Sequence, residues 1–386
     1  MEKNMTQLWK NLIANAPDLR ELAAQRLDNA VNYARQTGYV SPAQLEKIAV
    51  YTETVKNDSG IMENFCRLFA IYSQGAPEEV LGEPFPEELA AGIGEKQLLL
   101  IVALALIPTA EERFTQAGLP LSQLYCTFDE IGCWIANCER NYGITGLEFW
   151  HGFAWLTMRL FNFKVLRFGR LEYNRCDFFA DVMVFRHRKS GKMVVAAVEE
   201  YKVNGSGLTA APGEEVQFTT AFRELPDGSF IAHEIRADGI IEKVPLTITP
   251  AEYEIFLKSG DPVLYMHIPE LGPLKTEEVL KSYQEVKAFY KKVYPDYPVK
   301  AIVSHSWLFD PVLRQLLPEN SNLCRFQRTG HLLPQQGPSD AVRRVLGQPA
   351  VDNGVESVEW KSSLQKALGT YIVNGGYCRG GGIIIF

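Results

Sequence analysis

The chain has 386 residues, of which 46% are hydrophobic and 22% charged, and its formal net charge is −7. This length predicts two domains, since one domain usually spans roughly 100–200 residues, and the composition excludes a disordered chain. An acidic chain without a dense basic stripe is a poor candidate for binding nucleic acid or an anionic membrane, because both need clustered positive charge.

The chain also lacks the usual marks of secretion, membrane insertion and metal binding. Its first residues contain no apolar signal core, and the longest apolar run, Leu98–Ile107, falls well short of the roughly 20 residues that a membrane-spanning helix needs. We therefore expect a cytoplasmic protein. Seven cysteines contain no CxxC pair and six histidines no HExxH spacing, so neither a disulfide framework nor a metal site is predicted.

The first third of the chain has the apolar spacing of helices. Ser41 and Gln44 form a capping box around Pro42, which predicts the start of one of them. Helices are predicted over 6–35, 42–56, 61–72, 86–92, 95–116, 127–142 and 147–162.

From residue 164 the apolar period becomes that of strands. Strands are predicted over 165–174, 177–187, 193–203, 215–224 and 230–237. Arg167 and Arg170 stand around Gly169 at a spacing that suggests a β-bulge, and an ion pair with Glu172 or Glu148 is favoured over substrate binding.

Helices and strands alternate in the last part of the chain. Thr249–Glu252 resembles another capping box and predicts a helix over 253–258. The strand–helix–strand unit at 261–308 predicts two parallel neighbouring strands. Further elements are predicted as strands over 261–269, 299–308, 322–332 and 383–386, and as helices over 276–293, 311–317, 340–346 and 362–372. We interpret the chain as an α+β protein, with an all-helical domain over 1–145 and a mixed-sheet domain over 146–386.

Several separated blocks resemble a known family in the same order. They are Val165–Tyr173, Gly260–Leu274, His305–Pro311, Leu317–Asn322 and Asp340–Gly347. In these blocks the chain resembles a bacterial acyltransferase-domain family that joins a helical N-terminal acyltransferase region to a GNAT-like C-terminal domain. The resemblance implies a GNAT-like sheet and acetyl-CoA or another acyl-CoA as co-substrate.

The resemblance also implies where the acyl-CoA binds. In GNAT enzymes two strands splay apart around the pantetheine arm, and the pyrophosphate lies at the N-terminus of the following helix. Here the strands are 263–269 and 299–308, and Gly272, Lys275 and Thr276 become the cofactor-binding residues. The loop departs from the family pattern, because Pro273 has no N–H and the next residues, Glu277 and Glu278, repel phosphate.

Acyl transfer to a small-molecule amine needs a base, and His267 at the end of the first strand is the leading candidate. Ser304 and Ser306 share one face of the second strand, where one of them lines the splay, while His305 on the other face packs under a helix. The helix predicted over 311–317 lacks the tyrosine acid that many GNAT enzymes use, and His267 has the alternative of bonding a backbone carbonyl.

Three functions compete. The leading hypothesis is an acyl-CoA-dependent N-acyltransferase, and the alternative is a non-catalytic ligand-binding protein on a degenerate GNAT scaffold. A serine hydrolase is disfavoured because Gly205-Ser-Gly207 lacks the GxSxG spacing. The glycines at 380–382 follow a helix, which favours a turn into the last strand over phosphate binding. That last strand would pair across a homodimer if it lay at a sheet edge.

Overall fold

The computed structural model describes residues 5–38, 40–75, 77–80, 83–270 and 272–386. Within these residues the chain forms two compact units: Met1–Tyr173 with Ile268–Leu271, and Asn174–His267 with Gly272–Phe386. The predicted order, helices first and a mixed sheet after them, is confirmed, and the fold class is α+β. The predicted domain boundary at 145/146 stays a prediction.

The first unit is built mainly from helices. They are α1 Gln7–Asn15, α2 Arg20–Asp28, α3 Ala30–Gln36, α4 Pro42–Asn57, α5 Ser59–Ser73, α6 Glu95–Ala105, α7 Ile107–Gln116, α8 Leu121–Phe128, α9 Ile131–Tyr142 and α10 Trp155–Asn162. A π-helical segment, Phe149–Ala154, precedes α10, and 3₁₀ turns lie at Glu78–Val80 and Glu87–Ala90. The unit ends with strand β1, Val165–Phe168, and the first half of β2, Leu171–Asp177.

The helix boundaries follow from caps and prolines. The capping box before α4 is confirmed, because the Gln44 N–H donates to Ser41 Oγ over 3.3 Å and the Ser41 N–H donates to Gln44 Oε1 over 2.9 Å. The single helix predicted over 6–35 is instead three helices, and the break after α1 precedes Pro17. A proline disfavours helical backbone in the residue before it. The helix predicted over 95–116 likewise divides at Leu106, two residues before Pro108.

The first unit also buries charge. Arg159 contacts Glu130 and pairs with Glu172 at 2.7 Å, and all three side chains are almost fully buried. Glu172 thus has a helix-borne partner that the sequence analysis did not select. Gly169, with φ +57°, lies in a turn between β1 and β2, so the predicted bulge is wrong. Arg167 lies on β1, and Arg170 is the other residue of the turn.

The second unit contains the remaining strands and six helices. The strands are β3 Val182–His187, β4 Met193–Ala197, β5 Lys202–Val203, β6 Phe218–Thr219, β7 Arg223–Glu224, β8 Phe230–Ala232, β9 Glu234–Ile235, β10 Leu246–Ile248, β11 Tyr253–Leu257, β12 Pro262–His267, β13 Ile302–Ser306, β14 His331–Pro338 and β15 Arg379–Ile385. The helices are α11 Thr276–Val293, α12 Leu313–Leu316, α13 Asn322–Gln327, α14 Ala341–Leu346, α15 Gln348–Asn353 and α16 Ser363–Val373.

The main sheet of this unit has the order β2-β12-β13-β15-β14, and a second sheet has the order β11-β3-β4-β9. β12 and β13 are parallel neighbours joined through α11, as predicted, whereas β13, β15 and β14 run antiparallel to one another in turn. One face of the main sheet, including Val263, Val303 and Ile384, shares a hydrophobic core with Val184 and Val195 of the second sheet.

Two predicted elements of the second unit are wrong. The segment predicted as a helix over 253–258 is strand β11, which pairs antiparallel with β3. Thr249–Glu252 forms a single turn, in which the Tyr253 N–H donates to the Thr249 carbonyl, and the β-branched and aromatic residues that follow favour a strand. The strand predicted over 322–332 begins only at His331, because Ser321 caps the short helix α13.

The last strand is interior to the sheet, since β15 pairs with β13 on one side and β14 on the other. The condition for pairing across a homodimer through this strand, a place at a sheet edge, is therefore not met. Gly380, Gly381 and Gly382 lie inside β15. The turn that was predicted for them before the last strand is therefore wrong. A Cβ on Gly381 would overlap the carbonyl oxygen of Phe309, so close backbone approach explains the glycine.

In the part of the chain that the structure describes, no helix is long and apolar enough to cross a membrane. No cluster of three or more His, Cys, Asp or Glu side chains there could hold a metal ion.

Candidate functional site

β12 and β13 separate before either strand ends. Leu264 pairs with Ile302 and Tyr265 with Val303, and the Leu264 N–H donates to the Ala301 carbonyl over 3.0 Å. β12 then continues to His267 and β13 to Ser306, without further register pairs among the described residues. Two parallel strands that are paired at one end and unpaired at the other leave a gap between their backbones.

The side chain of Tyr265 fills part of this gap. The His305 backbone N–H donates to the Tyr265 hydroxyl over 3.2 Å, and the hydroxyl lies 3.4 Å from the His305 carbonyl oxygen. Burial raises the pKa of the Tyr265 hydroxyl, so it remains protonated and can donate to that carbonyl.

Three rings pack around the ring of Tyr265. The Tyr265 ring stacks on His305 at a centroid distance of 6.2 Å and on Phe179 at 6.0 Å, and it contacts His267 at 5.0 Å. His305 therefore packs against aromatic rings. The expectation that it packs under a helix is wrong. Burial lowers the pKa of His305, so its imidazole is neutral near pH 7. Phe179 is 57% exposed and covers the cluster from the solvent side.

His267, the predicted base, lies at the end of β12 beside this cluster. Its Nε2 is 2.7 Å from Oδ1 of Asn174, an oxygen that can only accept, so Nε2 carries the proton in this contact. The neutral ring then has its lone pair on Nδ1. The side-chain amide of Asn174 thus holds the imidazole through Nε2. The alternative partner predicted from the sequence was a backbone carbonyl.

Ser304 and Ser306 lie on the opposite face of the sheet from His267. Ser304 pairs in register with Ile383 and is 2% exposed, whereas His305 pairs with Gly382 on the face of Tyr265. The Ser306 hydroxyl accepts a hydrogen bond of 3.2 Å from the Leu308 N–H and caps the turn after β13. The structure therefore does not bring the two serines and His267 together, and their catalytic roles stay predictions.

The predicted phosphate site lies at the start of α11, which begins at Thr276 as expected. The first four N–H groups of a helix, counted from the N-cap residue, have no partner within it, and they attract anions. Lys275 pairs with Glu278 at 3.1 Å on the surface, and Glu277 also lies in the first turn. Gly272 is exposed, with φ +89°. Leu271 in the same loop lies outside the described residues.

One feature of that turn is polar and buried. Thr276 Oγ1 is buried and has no hydrogen-bond partner in the described part of the chain. A hydroxyl in this position can donate to a phosphate oxygen, which agrees with its predicted binding role. The two glutamates oppose the same ligand, so the site combines favourable backbone geometry with unfavourable charge.

Sequence reasoning missed three residues of the site: Asn174, Phe179 and Tyr265. Strand alternation places Tyr265 and His267 on one face, and that signal could have identified the tyrosine. Asn174 and Phe179 reach the cluster from β2 and the segment after it, which are far away in sequence, so no local pattern indicates them.

Comparison with known protein families agrees with this architecture. A family model described as a GNAT-like C-terminal domain matches residues 165–384. The chain belongs to this GNAT-like family. A second model, an N-acyltransferase N-terminal domain, matches residues 34–161. The family and the two-domain order expected from the sequence are therefore confirmed. No curated protein matches the chain.

Solved structures share the fold of this GNAT-like chain. One is an acyltransferase in complex with decanoyl-CoA, which is 21% identical, with a TM-score of 0.54, and covers 96% of this chain and 89% of its own. Another is an acyltransferase in complex with decanoyl-CoA and teicoplanin, which is 17% identical, with a TM-score of 0.56, and covers 98% of this chain and 94% of its own.

Proposed function

We propose that the protein is an acyl-CoA-dependent N-acyltransferase. The observation that carries the proposal is the gap between β12 and β13, which opens beyond Tyr265 and Val303 in a GNAT-like domain. The helix α11 follows β12 and belongs to the same unit. A gap lined by backbone groups together with an anion-attracting helix end suits a ligand that carries both amides and phosphates.

The proposed reaction transfers an acyl group from sulfur to nitrogen. The amine nitrogen of a small-molecule acceptor attacks the thioester carbonyl, a C–N bond forms, and the C–S bond breaks. His267 accepts the proton that the amine loses and then gives this proton to the departing sulfur, so that CoA leaves as the thiol. Gly272, Lys275 and Thr276 hold the phosphates, and Ser304 and Ser306 are assigned to lining the splay from the opposite face.

The donor and acceptor classes follow from the structural relatives. Acyltransferases of this fold bind decanoyl-CoA, octanoyl-CoA or CoA, and one binds teicoplanin together with decanoyl-CoA. We infer that this chain uses a similar acyl-CoA as donor and a small molecule with a primary amine as acceptor. Acetyl-CoA, octanoyl-CoA and decanoyl-CoA are the donors to compare.

The proposal is tested in two steps. Thermal shift with CoA and the three acyl-CoAs measures binding, since a ligand that binds only the folded state raises the melting temperature. Release of free thiol, followed with each donor in the presence and absence of a panel of amines, measures transfer, and mass spectrometry identifies the acylated amine. Amine-dependent thiol release supports the proposal. Binding of no acyl-CoA by the folded protein rejects it.

A second candidate function is ligand binding without catalysis. Glu277 and Glu278 in the first turn of α11 favour it, because they oppose the pyrophosphate that an efficient enzyme must hold. Tyr265, which already occupies part of the gap, favours it too. Acyl-CoA binding with no thiol release for any amine would support this candidate over the enzyme.

A further inference from the structure

The hydroxyl of Tyr265 contacts both backbone groups of one residue of β13, the N–H and the C=O of His305. It accepts from the His305 N–H at 3.2 Å and lies at 3.4 Å from the His305 carbonyl oxygen. In a continuing parallel ladder the backbone of a neighbouring strand would make these bonds. Here the pairing of β12 ends at Tyr265, so a side chain has replaced a backbone partner.

A group that replaces the hydroxyl must have the same hydrogen-bonding pattern. The backbone of His305 offers one donor and one acceptor on the same edge of β13, and both are costly to leave unpaired once buried. The N–H and C=O of a single trans amide point in opposite directions, so two successive secondary amides are needed to match both groups, one with its C=O and the next with its N–H. A thioester, a phosphate or a hydrocarbon chain offers no donor and cannot replace the hydroxyl completely.

We propose that Tyr265 is an internal substitute for two successive amides of the ligand, and that these amides displace its hydroxyl from the backbone N–H and C=O of His305. This inference rests on the proposed function, because the pantetheine arm of acyl-CoA contains two secondary amides. In the ligand-bound state the two amides lie between β12 and β13 and pair with the N–H and C=O of His305, while the tyrosine ring turns toward solvent. Tyr265 is then a positioning residue that sets the affinity for the ligand.

The surroundings of the ring allow this movement. Tyr265 is only partly buried, and its ring stacks on Phe179, which is 57% exposed and belongs to the segment after β2. Exposed aromatic side chains change rotamer rapidly, so Phe179 can move aside and let the partly buried ring of Tyr265 turn outward without disturbing the sheet. The backbone of β13 stays in place through its pairing with β15.

The consequence is a competition that mutation can remove. In wild type the ligand must break the hydrogen bonds between the Tyr265 hydroxyl and the backbone of His305. In Tyr265→Phe the N–H and C=O of His305 have lost that hydroxyl, so the ligand has no such bonds to break. We therefore expect Tyr265→Phe to bind CoA and pantetheine about three- to tenfold more tightly than wild type, the size of one net hydrogen bond. A merely structural tyrosine would show the opposite, since a destabilised site binds its ligand less well.

Tyr297 provides the matched control. Its hydroxyl also lies between two strands of the same sheet, at 2.8 Å from the Cys176 carbonyl of β2 and 2.9 Å from the Val263 carbonyl of β12. These strands are neighbours in the sheet, and the hydroxyl lies outside the gap between β12 and β13. Tyr297→Phe loses a comparable hydroxyl, and we expect its affinity for CoA to stay within about twofold of wild type.

Isothermal titration of wild type, Tyr265→Phe and Tyr297→Phe with CoA and with pantetheine tests the proposal. Tighter binding by Tyr265→Phe alone supports it, including the case in which only that variant binds measurably. Equal or weaker binding by Tyr265→Phe, while wild type binds CoA, overturns the inference and leaves the proposed function intact. Binding of neither compound by any of the three folded proteins overturns both.

A second measurement uses wild type alone and so does not depend on the folding of a variant. Nitration of tyrosines by tetranitromethane, located by peptide mass spectrometry, reports which hydroxyls are accessible. We expect saturating CoA to increase nitration of Tyr265 and to leave Tyr297 unchanged. Unchanged or reduced nitration of Tyr265 in the presence of bound CoA would show that its hydroxyl is not displaced.

Discussion

His331 shows how a single buried residue makes stability depend on pH. Its Nε2–H donates to the Ile235 carbonyl over 2.7 Å in the second unit. Burial lowers the pKa of the imidazole below its ordinary value of 6.5, against the smaller opposing effects of that hydrogen bond and of Asp238. Between pH 6.5 and the lowered pKa, His331 is therefore protonated in the unfolded chain but neutral in the folded chain. The contribution of His331 is complete above pH 6.5 and is lost as the pH falls toward the lowered value.

We predict that His331→Gln will reduce this pH dependence. Glutamine can still donate one hydrogen bond but has no proton to gain, so the stability of wild type should fall more steeply than that of the variant between pH 7 and pH 5. Urea unfolding at several pH values measures the difference. His187→Gln, at a partly exposed histidine, is the control. Parallel pH profiles for wild type and His331→Gln would contradict the expectation.

His267 can be tested for chemistry separately from structure. Glutamine at this position keeps a nitrogen donor for Asn174 but cannot act as a base, so His267→Gln should keep the melting temperature of wild type. If His267 is the base, turnover should fall about 10²–10⁴-fold, the usual cost of losing one. Asn174→Ala, which removes the acceptor that orients the ring but leaves the imidazole in place, should lose less. Early melting with normal turnover of the folded fraction would make His267 structural.

At the scale of elements, β15 depends on glycine because other backbone approaches it. We predict that Gly381→Ala will destabilise the protein by about 1–3 kcal/mol, since a Cβ there would overlap the Phe309 carbonyl and a rigid backbone cannot move aside easily. Gly205→Ala is the matched control, because its Cβ would lie 3.7 Å from Gln217, an ordinary contact. Chemical denaturation measures both, and equal stability of the two variants would reject this account of the glycine.

The charged side chains in and before the first turn of α11 predict opposite effects on CoA affinity. Glu277→Gln and Glu278→Gln should each strengthen CoA binding, and Lys275→Ala should weaken it, each by about 0.3–1 kcal/mol at low salt. The effect of a charge on a helix end is confined to the first turn, so Glu285→Gln further along α11 should change nothing. Calorimetric titration at low and high salt measures the four variants. Affinity that is insensitive to all of them would place the phosphates elsewhere.

Local signals predicted elements well where cap chemistry and apolar period agreed. α4 and α11 begin at their predicted residues, the first at a complete capping box and the second ahead of a regular apolar face. β11 shows the limit, because Thr249–Glu252 has the residues of a cap but only closes a turn before a strand held by β3. The aromatic cluster of the site could not be predicted from the sequence, because Phe179 contacts Tyr265 only once β2 and β12 lie side by side in the sheet.

At the scale of the whole molecule, ligand binding and stability are linked through the second unit. β12, β13 and α11, which form the proposed site, all belong to that unit. A ligand that binds only the folded state stabilises it by about 2.7 kcal/mol at a concentration 100 times its Kd. Because the chain has two compact units, one melting temperature does not describe both unless they unfold together.

We predict that decanoyl-CoA will stabilise the second unit first. Hydrogen exchange should slow at β12, at β13 and in the first turn of α11, because ligand binding suppresses the local opening of the segments that it joins. Peptides from α1 to α5 of the first unit should change only to the extent that the units unfold together. Mass spectrometry of exchanged peptides, with calorimetry at the same ligand concentrations, measures both effects.

Adenosine monophosphate separates the parts of that response. It lacks the pantetheine arm, so it should leave exchange at β12 and β13 unchanged even if it protects the start of α11. Protection of β12 and β13 by decanoyl-CoA but not by the nucleotide would follow from an amide-bearing arm between the strands. Protection confined to α16 and the glycines of β15 would move the ligand away from the β12–β13 gap, and the proposed roles of Tyr265 and His267 would fall with it.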